Sequence, residues 1–219
     1  MDTNEIGKLI ETKSTLNSLV SENTHTAFSL FKQKANELNS FMNKNYPEVH
    51  CNFMNKGDFE FELSFGSDTL VFLLHTNVFE FSRMHEVMKL PYVKEDEKRS
   101  YCGMINIYNF LSDSFDYHRD MDMGYLIGRI FINKENHYFI EGKREVGLLY
   151  TSFHKAIINQ ESVENIIISS MEYATNFDLL VPPFDEVKIA TVAEIDSQST
   201  AKKQITAKRL GFNFEQDRN

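Results

Sequence analysis

The sequence predicts an α+β fold: a long N-terminal helical segment, an antiparallel sheet of about five or six strands built as a meander plus a central hairpin, and a C-terminal helix packed on the sheet. Three patterns carry this. Apolar residues recur at helical spacing from residue 4 to residue 44. From Val49 onward the pattern changes to period two. Gly124 to Tyr150 then holds two runs rich in β-branched and aromatic residues, split by Asn133-Lys134-Glu135-Asn136. Most connections between the strands are too short for parallel crossovers, which need a dozen or more residues.

In the first segment Leu9, Leu16, Val20, Ala27, Phe31, Leu38 and Met42 line one helical face, and neither Pro nor Gly occurs between Gly7 and Pro47. An unbroken helix of about 40 residues would be roughly 60 Å long, more than the domain it would cover. Ser21-Glu22-Asn23-Thr24 therefore marks the expected break, with Ser21 or Thr24 capping a second helix. The alternative is one projecting helix that pairs with a copy of itself.

Val49, Cys51 and Phe53 alternate with polar neighbours, and Asn55-Lys56-Gly57-Asp58 is a turn signal. Phe59, Phe61, Leu63 and Phe65 alternate with Glu60, Glu62 and Ser64, giving one buried and one wet face. Gly66-Ser67-Asp68 turns the chain into a strand over 69–81, with a bend at His75-Thr76-Asn77. Residues 83–100 are a charged loop with room for one helical turn. Tyr101 to Phe110 is a strand, and Leu111 to Met123 an acidic connection.

The hairpin follows. A two- or four-residue turn puts Leu126, Gly128, Ile130 and Ile132 on one face with His137, Phe139, Glu141 and Lys143. Tyr125, Ile127, Arg129 and Phe131 then share the other with Tyr138 and Ile140. Val146 to Tyr150 offers a further strand. Val163, Ile166, Ile167, Ala174 and Phe177 line a helix capped by Asn159 and closed by Pro182-Pro183. Asp185 to Ile195 fits strand or helix equally. The chain divides into a helical segment (1–47), an α+β domain (48–195) and a polar tail (196–219) carrying Lys202, Lys203, Lys208 and Arg209. The element order resembles that of small sensor domains such as GAF and that of the type III secretion chaperone fold; the resemblance lies in the order of elements, and no site residue is transferred from it.

The 219 residues can bury roughly 70% of the unfolded surface without a staple. The 19 Phe and 9 Tyr supply the core. A net charge of −9 makes nucleic acid an unlikely partner, because phosphate binding depends on Lys and Arg. Cys51 and Cys102 sit in no CxxC pair and suit reduced, buried thiols in the cytoplasm. No leader-like apolar stretch opens the chain, and no apolar run reaches the ~20 residues of a membrane helix.

Five groups are candidate sites. Glu141 and Lys143 form a strand-end Glu-x-Lys which, with Asp120 or Asp122 upstream, matches the residue types of metal-dependent nucleases: carboxylates hold the ion and the Lys stabilises charge. The bland alternative is a strand-end ion pair. His118, Asp120 and Asp122 alternate as metal ligands can, or they form a solvated acidic loop. Cys51 beside His50, or Cys102, offers a nucleophile, but strand positions favour buried packing. Arg129, inside an apolar strand, needs a carboxylate partner or an anionic ligand, with His75 as a possible lining residue. The basic tail suits an acidic partner or solvent. No nucleophile–base–orienter set and no Gly-rich phosphate loop is legible. The sequence therefore points to a non-enzymatic cytoplasmic binding or regulatory module without a cofactor, holding a protein partner and forming a homodimer. A small anionic-ligand sensor and a metal-dependent hydrolase or nuclease using Asp122, Glu141 and Lys143 are the alternatives.

Overall fold

The computed structural model describes residues 2–120, 122–142, 152–177, 183–189 and 191–193. Helix α1 (Thr3–Asn45) is one unbroken helix of 43 residues, about 65 Å long at 1.5 Å per residue. Asp2 caps it. The Asp2 carboxylate accepts from the Glu5 amide and the Glu5 carboxylate from the Asp2 amide, each at 2.8 Å, a reciprocal capping box. The break expected at Ser21 to Thr24 does not form. The Thr24 hydroxyl donates to the Val20 carbonyl at 2.6 Å, so it is spent inside the helix and does not cap a new one. Val20 and Thr24 are buried against the sheet.

Seven strands follow among the described residues: β1 (Asn52–Asn55), β2 (Glu60–Phe65), β3 (Asp68–Leu74), β4 (Phe79–Glu80), β5 (Tyr101–Leu111), β6 (Tyr125–Asn133) and β7 (Tyr138–Gly142). Their order is β1-β2-β3-β5-β6-β7, antiparallel throughout, with short β4 also on β5. The expected bend at His75 to Asn77 separates β3 from β4. The hairpin β6–β7 lies toward one end of this sheet, while β3 and β5 occupy its middle; that corrects the expectation of a central hairpin. Val146 to Tyr150 and the tail from residue 196 lie outside the described residues.

Two irregularities revise the expected faces. Asn136, at φ +60°, closes a three-residue turn, with the Asn133 amide bonded to the His137 carbonyl. The odd loop length reverses the parity of β7: Phe131 pairs with Phe139 and Arg129 with Glu141, while Ile130 pairs with Ile140. A bulge opposite Ile107 and Tyr108 makes Ile127 an extra residue in β6. Ile127 therefore enters the core and Leu126 is exposed. Phe59 is exposed as well, and Glu62, on the face expected to be wet, is buried with Lys56 3.3 Å away.

The main core lies between one sheet face and two helices. Phe61, Leu63, Leu70, Phe72, Ile105, Ile107, Ile130 and Ile132 meet Ala27, Phe28, Phe31 and Ala35 of α1. Val163, Ile166, Ile167 and Ala174 of α4 (Gln160–Thr175) complete it. Phe61 stacks on Phe72 with ring centres 4.5 Å apart. Asn159 caps α4 as expected, accepting from the Ser162 amide. The helix ends at Thr175, before the prolines.

The charged stretch 83–100 is more ordered than a loop. It holds a 3₁₀ turn (Glu86–Lys89), helix α2 (Pro91–Glu95) and a second 3₁₀ turn (Glu97–Ser100). Val87 and Val93 pack with Cys102, Phe131, Phe139 and Phe153 as a second cluster on the opposite sheet face. The acidic connection contains α3 (Ser112–Asp116), and the segment after residue 183 contains α5 (Phe184–Val187).

Gly103 sets how closely α1 approaches the sheet. A Cβ there would sit 2.1 Å from the Thr24 hydroxyl oxygen and 2.8 Å from the Thr24 Cβ. Neither can yield without moving backbone. Gly103→Ala is expected to lower unfolding free energy by about 1–3 kcal/mol, the usual cost of overpacking, read as a fall in the urea midpoint at unchanged slope.

Candidate functional site

The sheet covers only part of α1. Val20, Thr24, Ala27, Phe28, Phe31 and Ala35 are buried, and steps of three and four residues place them on one stripe at 100° per residue. Projected toward the N-terminus, the same stripe contains Ile6, Leu9, Ile10, Lys13 and Leu16. Residues 2–15 are all exposed, an overhang of roughly 20 Å. Ile6 is 40%, Leu9 53% and Ile10 62% accessible, so an apolar stripe continuous with the core face runs out beyond the sheet.

The overhang and its root, residues 2–18, are rich in weak helix formers. Gly7, Thr12, Ser14, Thr15, Asn17 and Ser18 all rank below Ala, Leu or Lys in helix propensity. The Thr12 and Thr15 hydroxyls turn back onto the carbonyls of Lys8 and Glu11, a bond that slightly disfavours helix. The capping box at Asp2 secures the first turn, but an isolated stretch of this length and composition is marginal in water.

The predicted site residues are dispersed, and most are engaged by near neighbours. Arg129 and Glu141 form an ion pair across β6 and β7, both half-exposed, with the guanidinium 5.6 Å from the Phe131 ring centre. His75 follows β3, so β5 separates it from Arg129; its Nδ1 accepts from the Asn77 amide at 3.1 Å and its ring meets Phe79 edge-on. His118 and Asp120 are exposed. The Asp122 carboxylate is buried, accepting from the Ser114 hydroxyl at 2.7 Å with the Arg119 guanidinium 4.0 Å away. Asp122 and Glu141 are thus held by different partners and are not brought together. Lys143 lies outside the described residues. Among the described residues no group of three or more His, Cys, Asp or Glu is placed to hold a metal ion. Cys51 and Cys102 are buried free thiols, and burial pushes both above the ordinary thiol range, away from the reactive thiolate.

The densest polar cluster was not legible in the sequence. At the β6–β7 turn, the Tyr92 hydroxyl donates to Glu135 at 2.8 Å and accepts from Asn133 Nδ2 at 2.9 Å. Arg99 Nε donates to Glu135 at 3.0 Å, its guanidinium 4.3 Å from the Tyr92 ring centre. Lys134 pairs with Asp96. From the other sheet face, Asn23 of α1 donates to the Asn133 and Lys134 carbonyls at 3.2 and 2.9 Å. Burial, reinforced by the Glu135 charge, pushes the Tyr92 hydroxyl up to about 12. Burial opposes ionisation of Glu135, but hydrogen bonds from Tyr92 and Arg99 outweigh it and lower its pKa. The groups satisfy one another, so this cluster fastens the turn to both layers.

Cavities among the described residues flank these elements. An open polar groove of about 740 Å³ lies beside the root of the overhang, between Asn17, Ser21 and His25 of α1 and Thr76 and Asn77. A more apolar one of about 790 Å³, at the end of the sheet, is lined by Met42, Phe65, Asp68, Leu111 and Met171. No described helix is long and apolar enough to cross a membrane. No protein-family model, curated protein or solved structure matches the chain.

The Lys134 hydrogen bond holds the Asp96 carboxyl below its ordinary value of 3.8. A carboxyl depressed in the folded state stabilises above its unfolded pKa, and that contribution is lost as pH falls through the folded one. Asp96→Asn keeps an oxygen that can accept from the Lys98 amide but removes the charge. It is expected to cost under about 1 kcal/mol at pH 7 for so solvent-screened a pair. Urea midpoints of variant and parent are expected to converge as the pH is lowered past 3.8.

Proposed function

We propose that this chain is a non-enzymatic, cytoplasmic binding module of regulatory type that associates with itself through the exposed N-terminal half of α1. The observation that carries the reading is the exposed stripe Ile6-Leu9-Ile10, continuous with a face that is buried from Val20 to Ala35. Apolar surface arranged as a helical face is the form in which helices recognise helices. The weak intrinsic helicity of residues 7–18 supports the reading, since burial of the stripe supplies the stability that local propensity lacks. The buried free thiols suit a reducing compartment.

Light scattering on a size-exclusion column, run on the full chain at several concentrations, tests this. The parent is expected to move from monomer toward twice the monomer mass as concentration rises. Leu9→Glu is expected to stay monomeric, while Met84→Glu, at an 87% accessible position elsewhere, leaves the association intact. A parent chain that stays monomeric throughout overturns the proposal.

A further inference from the structure

Lys13 lies in the middle of the exposed stripe, flanked by Leu9, Ile10 and Leu16. Its charge constrains how a second copy can bind. Two overhangs laid parallel and in register would set Lys13 against Lys13, and like charges facing each other are destabilising. An antiparallel arrangement has a different outcome. When Ile6 of one copy faces Leu9 of the other, the point of symmetry falls between Gly7 and Lys8, and the same register sets Lys13 opposite Asp2. Asp2 is the N-cap, one turn before Ile6, whose amide donates to the Asp2 carbonyl at 3.1 Å. The apolar centre would then be two Ile6–Leu9 layers, and each end would be closed by a Lys13–Asp2 pair. In this register Asp2, Ile6, Leu9 and Lys13 each meet a chemically matched counterpart in an identical chain, while Ile10 falls level with Glu5. Gly7 points away from this face and has nothing within 4 Å of a Cβ built on it.

From this self-complementarity we infer that the partner of the overhang is a second copy of this chain, docked antiparallel with Ile6 against Leu9 and Lys13 against Asp2. The inference rests on the self-association proposed above and adds its orientation and register. Asp2 serves in two roles: it caps its own helix through Glu5 and presents a carboxylate oxygen to the lysine of the second copy. Charge-assisted pairs of this kind fix register more than they add affinity.

Two measurements on the full chain test it. Lys13→Glu and Asp2→Lys are each expected to weaken dimerisation in analytical ultracentrifugation. An equimolar mixture is expected to associate about fivefold more tightly than either variant alone, because in the mixed dimer the reversed charge at position 13 meets the reversed charge at position 2. A spin label on Ser18→Cys, at an exposed position on the far side of the stripe, is expected to report an inter-label separation of about 30 Å or more along the helix axis. Parallel pairing would bring the labels within roughly 20 Å. A dimer showing that short distance, or no gain on mixing, overturns the antiparallel register while leaving self-association standing. A parent that is monomeric at all concentrations overturns both.

Discussion

The approach of α1 to the sheet at Gly103 is the constraint on which the rest of the structure depends. With no Cβ at that position, the side chain of Thr24 fits against the β5 backbone. Thr24 can lie flat there because its hydroxyl is satisfied by its own helix. This contact sets the depth at which Phe28 and Phe31 reach Phe61 and Phe72. A helix held further out would leave those rings short of contact, and dispersion attraction falls steeply across such a gap. The same seating brings Asn23, one residue before Thr24, within reach of the carbonyls at the β6–β7 turn.

That turn joins the two layers. On one side it is held by an amide from α1, on the other by Tyr92, Asp96 and Arg99 from the segment that covers the second core. The arrangement explains why so charged a stretch as residues 83–100 is structured: its apolar residues Val87 and Val93 are buried, and its charges meet Lys134 and Glu135. The Tyr92, Arg99 and Glu135 side chains act there as a fastener, since they are bonded to one another and to backbone.

Local pattern carried much of this architecture. The period-two strands and the Asn159-capped helix follow from spacing and capping chemistry. What failed was non-local or hung on a single residue. The left-handed Asn136 altered the turn by one residue and so exchanged the faces of β7, pairing Arg129 with Glu141 and not placing Glu141 beside Ile130. The bulge at Ile127 had no signal in an apolar run where either neighbour could turn inward. Ser21 to Thr24 carried a plausible cap sequence, but burial of Thr24 on Gly103, 79 positions away in the chain, decided in favour of helix. Part of this stripe, Leu9 and Leu16, was visible as periodicity; Ile6 and Ile10 were not read as part of that face. How far the sheet would cover it was not visible, because that depends on where β5 and β6 meet the helix.

Beyond the sheet, α1 continues as unbroken helix from its seat to its exposed tip. Gly7 lies near the far end, and Ser21 to Thr24 is continuous helix. The distance from Thr24 to Thr3 is about 30 Å at helical rise. A tilt of about 5° at the Gly103 contact therefore displaces the tip by nearly 3 Å. In geometric terms the overhang is a long arm measured from Thr24. The Asn23 amide, beside that point, ties the base of the arm to the β6–β7 turn.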